Sequence, residues 1–139
     1  MKNKLLVAIV IGFSCCALQS SAQTIVNDTI TYNTVKYYPG RLVQMFFGSG
    51  KGGEFAYAFV GGRSRIIKDF KKSDLYPLSS HFAKAKIKID KVYYLNGICY
   101  ARGALLDKST GEGFDDHYVY IDVKGAIDHR EVWEDGVHN

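Results

Sequence analysis

From residue 23 onward, apolar and polar positions alternate in short runs broken by glycine, asparagine or aspartate. No segment sustains the i, i+3, i+4, i+7 apolar stripe of an amphipathic helix. Residues 29–38 alternate loosely, 42–47 form a compact apolar run and 48–53 a glycine loop. A second run follows at 55–60, and a third at 63–67 after Gly61-Gly62. The spacing predicts a three-strand meander over 42–67. Residues 68–82 are irregular. Pro77 rules out a continuous helix there, leaving room for one helical turn over 69–75.

Asn96-Gly97 is the clearest turn signal, because both central positions of a two-residue hairpin loop need positive φ. It pairs Leu95 with Ile98 and Tyr93 with Tyr100. Continued without a break, the ladder sets Ile89 against Ala104 and Lys91 against Arg102, two like charges face to face. A bulge near Asp90-Lys91 switches the face, aligning Ile87 and Ile89 with Val92, Tyr94 and Leu105. A last hairpin is expected at Lys124-Gly125, with a three-residue loop over 123–125. Its core side holds Val119, Ile121 and Ile127, and its other side Tyr118, Tyr120, Asp122, Asp128 and Arg130. In that register Tyr118 opposes Arg130 as a cation–π pair, Asp128 opposes Tyr120, and His117 opposes Glu131. The sum is an all-β fold: a small antiparallel sandwich or partly open barrel of about seven to eight short strands, with at most one short helical turn.

The first 22 residues break this pattern. Lys2 and Lys4 precede an apolar run from Leu5, and Ser20 and Ala22 place small residues three and one before Gln23. That order is a secretory signal peptide, so cleavage is expected between Ala22 and Gln23, leaving one β-rich domain over 23–139. The apolar run is too short to span a bilayer. Cys15 and Cys16 lack the upstream residues of a lipoprotein signal, which argues against a lipid anchor. Removing 22 residues from 139 leaves 117, and losing Lys2 and Lys4 lowers the formal charge from +4 to +2. That balance gives no reason to expect nucleic acid. One cysteine remains, Cys99, so a hydrophobic core must hold the domain. Mid-strand between Ile98 and Tyr100, Cys99 reads as an inert buried thiol.

Several segments bear on chemistry. The glycine loop 48–53 fails as a phosphate loop, because Met45 stands where the first glycine belongs and Gly52 where the magnesium hydroxyl belongs. Asp107, Glu112, Asp115, Asp116 and His117 crowd one loop and offer oxygens for Ca²⁺, without EF-hand spacing. His117 and His129, with nearby acids, could hold Zn²⁺ or serve as acid and base. Solvated acids and structural histidines explain both groups as well. Ser79, Ser80 and His81 are adjacent but lack the strained elbow of a nucleophile.

Residues 103–112 hold Gly103, Asp107, Thr110, Gly111 and Glu112. This order of glycine, strand, aspartate and Thr-Gly-Glu resembles the opening of the carboxypeptidase regulatory-like domain, a small exported β-sandwich. The family has most of its domain after this segment, whereas here 27 residues follow Glu112. The resemblance implies an exported β-fold and no catalytic residue.

The function expected is an exported, non-catalytic module of the cell envelope, binding a protein or carbohydrate or playing a structural part, with no transmembrane span in the mature chain and no cofactor. The face of Tyr118, Tyr120, Asp122 and Arg130 suits sugar or peptide contact. One alternative is a small metal-dependent hydrolase using His117, His129 and nearby acids. Another is an inhibitor or immunity-type protein acting through an apolar patch of Phe46, Phe47 or Trp133.

Overall fold

The computed structural model describes residues 23–62, 75–106 and 117–133. Two antiparallel sheets share one core, as the alternating pattern requires. The smaller is a meander of β1 (Thr24–Val26), β2 (Thr29–Tyr32) and β3 (Val35–Tyr37). Its turns, Asn27-Asp28 and Asn33-Thr34, have φ between 47° and 69°, the left-handed pair that suits the twist of a two-residue hairpin. The larger sheet runs β4 (Leu42–Gln44), β7 (Lys86–Leu95), β8 (Ile98–Leu105), β9 (His117–Asp122), β5 (Ala58–Gly62) and β6 (Tyr76–Pro77). Neither sheet closes into a barrel.

The strand order corrects the expected meander over 42–67. β4 and β5 lie apart in the sheet, separated by β7, β8 and β9. Hydrophobic runs mark strands but not their neighbours, and here the long β7–β8 hairpin takes the centre. Residues 63–67, the 69–74 part of the expected helical turn, and the acidic loop 107–116 lie outside the described residues.

The hairpin at Asn96-Gly97 forms as expected, with φ of 50° and 81° and pairs Leu95–Ile98 and Tyr93–Tyr100. The register shifts between Ile89 and Lys91, so Ile89 meets Gly103 while Lys91 meets Arg102. The bulge turns Ile87, Ile89 and Val92 to the core together. Tyr94, expected with them, is 66 % exposed.

The last hairpin does not form. β9 is followed by a helix, α1 (Val123–Asp128). Asp122 accepts a hydrogen bond from the Gly125 N–H at 3.1 Å and caps it. Val123, Ala126 and Ile127 then fall on one buried side, the i, i+3, i+4 spacing of a single apolar face. Gly125 is a packing glycine rather than a turn glycine: a Cβ there would stand 2.0 Å from Tyr57 Cδ1.

One continuous core joins Ile30, Tyr32 and Tyr37 of the small sheet to the inner face of the large sheet and to α1. The outer face of the large sheet is separate. There Phe59, Leu75 and Tyr120 form a second cluster, with Tyr93, Leu95 and Tyr118 packed against it.

Candidate functional site

The outer face is built by alternation. The bulge leaves Lys86, Lys88, Lys91 and Tyr93 of β7 pointing away from the core. Ala104, Arg102 and Tyr100 of β8 and Tyr118, Tyr120 and Asp122 of β9 share that side. Arg102 organises it. Its Nε and Nη2 donate to the two Asp90 oxygens at 2.9 and 2.6 Å, a bidentate clamp. Its guanidinium lies 4.0 Å from the Tyr118 ring centre and 5.6 Å from that of Tyr93. Burial opposes the charge on Arg102, but the Asp90 bonds outweigh it and raise its pKa. Burial likewise pushes up the Tyr93, Tyr100 and Tyr120 phenols, which stay neutral. The repulsion foreseen between Lys91 and Arg102 is thus relieved by Asp90, the residue the bulge inserts.

Three of the four residues expected to bind ligand lie on this face, but not as an exposed surface. Tyr118 is partly buried beneath Arg102, and Tyr120 is fully buried. Asp122 is spent on the helix cap. Arg130 does not oppose Tyr118: with α1 in place of a strand, it sits in the exposed turn after the helix, at φ 55°. Asp128 does not oppose Tyr120, and His117 does not oppose Glu131, for the same reason.

A second polar site lies beyond the end of β9, where α1, Tyr57, the Gly97-Ile98 turn and Gln23 line an open cleft of about 270 Å³. The Tyr57 and His129 rings stack at 4.4 Å. His129 Nδ1 lies 3.0 Å from the Gly125 carbonyl, so it carries the proton, and Nε2, 3.4 Å from the Tyr57 hydroxyl, accepts. Lys124 donates to Asp128 and to the Tyr32 hydroxyl, which itself donates to Asp128 at 2.7 Å. This closed triangle ties β2 to α1. Burial opposes ionisation of Asp128, but the Lys124 and Tyr32 bonds prevail and hold its carboxyl below the usual range. The same bonds raise the Lys124 ammonium above the ordinary lysine value.

His117 opens β9 and His129 follows α1, so the structure places the two histidines at opposite ends of this strand–helix unit. Asp107, Glu112, Asp115 and Asp116 lie outside the described residues. Among the described residues no group of three or more His, Cys, Asp or Glu side chains is arranged around a metal position.

Glu131, expected beside His117, proves to be the anchor of the glycine loop. It is fully buried. One oxygen accepts from Ser49 N and Oγ and from Ala56 N at 2.6–2.9 Å, and the other from Tyr57 N at 2.8 Å. The loop that resembled a phosphate cradle therefore closes, in part, on a carboxylate of its own chain. Cys99 is buried, and burial pushes its thiol up. Ser79 caps the 3-10 turn Ser80–Phe82 by accepting from His81 N. Phe46 packs edge-on against Phe47 and Trp133, with centres 4.6 and 4.4 Å apart.

The lysines of β7 and the Asp90–Arg102 clamp were not foreseen as a site. Their signal was present in the run Lys86 to Lys91, where lysine alternates with isoleucine up to the bulge. No protein-family model, no curated protein and no solved structure matches the chain, and the likeness at 103–112 gains no support from them.

Proposed function

We propose that the chain is an exported, non-catalytic β-module of the cell envelope that binds an envelope carbohydrate or protein through the outer face of its six-stranded sheet. Export rests on the basic, apolar and small-residue order of residues 1–22. The observation that carries the binding reading is the Asp90–Arg102–Tyr118 stack, 2.6 Å and 4.0 Å between its members. A guanidinium clamped at two of its three nitrogens and laid on a ring is a rigid, amphipathic platform. It costs little entropy to hold against a ligand. The cleft chemistry supports the same reading: Lys124, Asp128, Asp122 and His129 already serve bonds of the fold.

The test is binding of purified mature protein to a panel of neutral and acidic envelope polysaccharides by affinity electrophoresis. Retention by at least one polymer, weakened about tenfold in Tyr118→Ala with the far-ultraviolet circular dichroism of the fold retained, is expected. No retention by any polymer removes the carbohydrate reading. The rival reading, a metal-dependent hydrolase, has its two histidines at opposite ends of the β9–α1 unit. Zinc bound stoichiometrically to the mature protein, and lost in His129→Ala or His117→Ala, would put it first.

A further inference from the structure

We infer that the ligand of the outer face is an acidic polysaccharide, read by the row Lys86, Lys88 and Lys91. This rests on the binding reading above and names its ligand class. The three lysines lie on one face of β7, and Lys86 and Lys88 lie where β4 and β8 flank it on both sides, so these two are not guarding a sheet edge. At about 3.3 Å per residue, Lys86 and Lys88 are roughly 7 Å apart and the row spans roughly 16 Å, the reach of a few sugar rings.

Their cross-strand neighbours supply no counter-charge. Lys86 faces Gln44, Lys88 faces Leu42 and Ala104, and Lys91 faces Arg102. The carboxylate inserted beside them, Asp90, is bound to Arg102. Among the described residues, then, this half of the face holds four cations against one anion. Asp90 neutralises one of these cations, and a bound polyanion would meet the other three. Charge alone would suit any polyanion. The aromatic members favour a sugar: Lys91 Nζ lies 5.1 Å from the Tyr93 ring centre, and the Arg102–Tyr118 stack continues the surface. Flat rings beside ammonium groups match a polymer with apolar ring faces and carboxylates at intervals.

The experiment uses the mature chain and four probes: polygalacturonate, neutral dextran, polyglutamate and duplex DNA. Expected is retention by polygalacturonate at least tenfold tighter than by the other three. The triple variant Lys86→Ala, Lys88→Ala, Lys91→Ala should lose at least tenfold, and its binding should depend less on salt. The triple Lys→Arg variant should keep binding, which separates charge from folding. Equal binding of polyglutamate or DNA would overturn the sugar assignment. Retention by dextran, unchanged in the alanine variant, would overturn the anionic ligand and leave the binding module standing. No retention by any of the four would overturn the acidic-polysaccharide assignment, while the wider polysaccharide panel decides the carbohydrate reading itself.

Discussion

The Glu131 carboxyl group is fully buried and meets four donors, three of them backbone N–H groups of the segment 49–57. A buried carboxylate is tolerable only when its lone pairs are used in this way. Glu131→Gln sets an NH₂ donor against those N–H groups, so about 2–4 kcal/mol of stability should be lost, read as a lowered urea midpoint. Retained stability would mean that the loop is held by something else. At this scale the sequence was poorly legible. Glu131 was placed near His117 because a strand was assumed around it, and a residue's partners cannot be known before its element is. Arg102 and Lys91 were better served, since the hairpin register alone exposed their conflict, although not that Asp90 would resolve it.

Element by element, β7 and β8 were legible and α1 was not. A two-residue Asn-Gly loop fixes a register locally, and the cost of opposed charges then points to the bulge. In α1 the same residues admitted two readings. Lys124-Gly125 resembles a turn, while Asp122 followed by Val123, Ala126 and Ile127 is a capped helical turn. The Tyr57 ring on Gly125 decides it, because that contact exists only in the folded chain. Gly125→Ala should therefore cost about 1–3 kcal/mol despite alanine's better helix propensity, measured by thermal unfolding. A gain in Tm would show that the glycine is not needed for packing. The Asp128 latch gives a pH prediction. Its carboxyl is depressed in the fold, so its contribution is present above the unfolded value of about 3.9 and is lost as pH falls through the lower folded value. Asp128→Asn should flatten the acid limb of the stability profile below about pH 4 and lower stability at pH 7. An unchanged acid limb would show that other carboxylates govern it.

For the molecule as a whole, the small sheet, the large sheet and α1 share one core, so unfolding should be a single cooperative event. Ile30 has no exposure on β2. Ile30→Ala should cost about 2–5 kcal/mol and shift far-ultraviolet circular dichroism and Trp133 fluorescence together. Separate transitions would show that the meander unfolds on its own. The local pattern of residues was enough to establish the all-β class, the central hairpin with its bulge, and which side of that hairpin is apolar. These depend on period-two alternation and on backbone angles that a dipeptide can specify. Strand order, the helix after β9, the use of Glu131 and the lysine face required the folded chain. Each of them depends on which distant segments compete for one core, and that competition is resolved by packing between residues far apart in the chain.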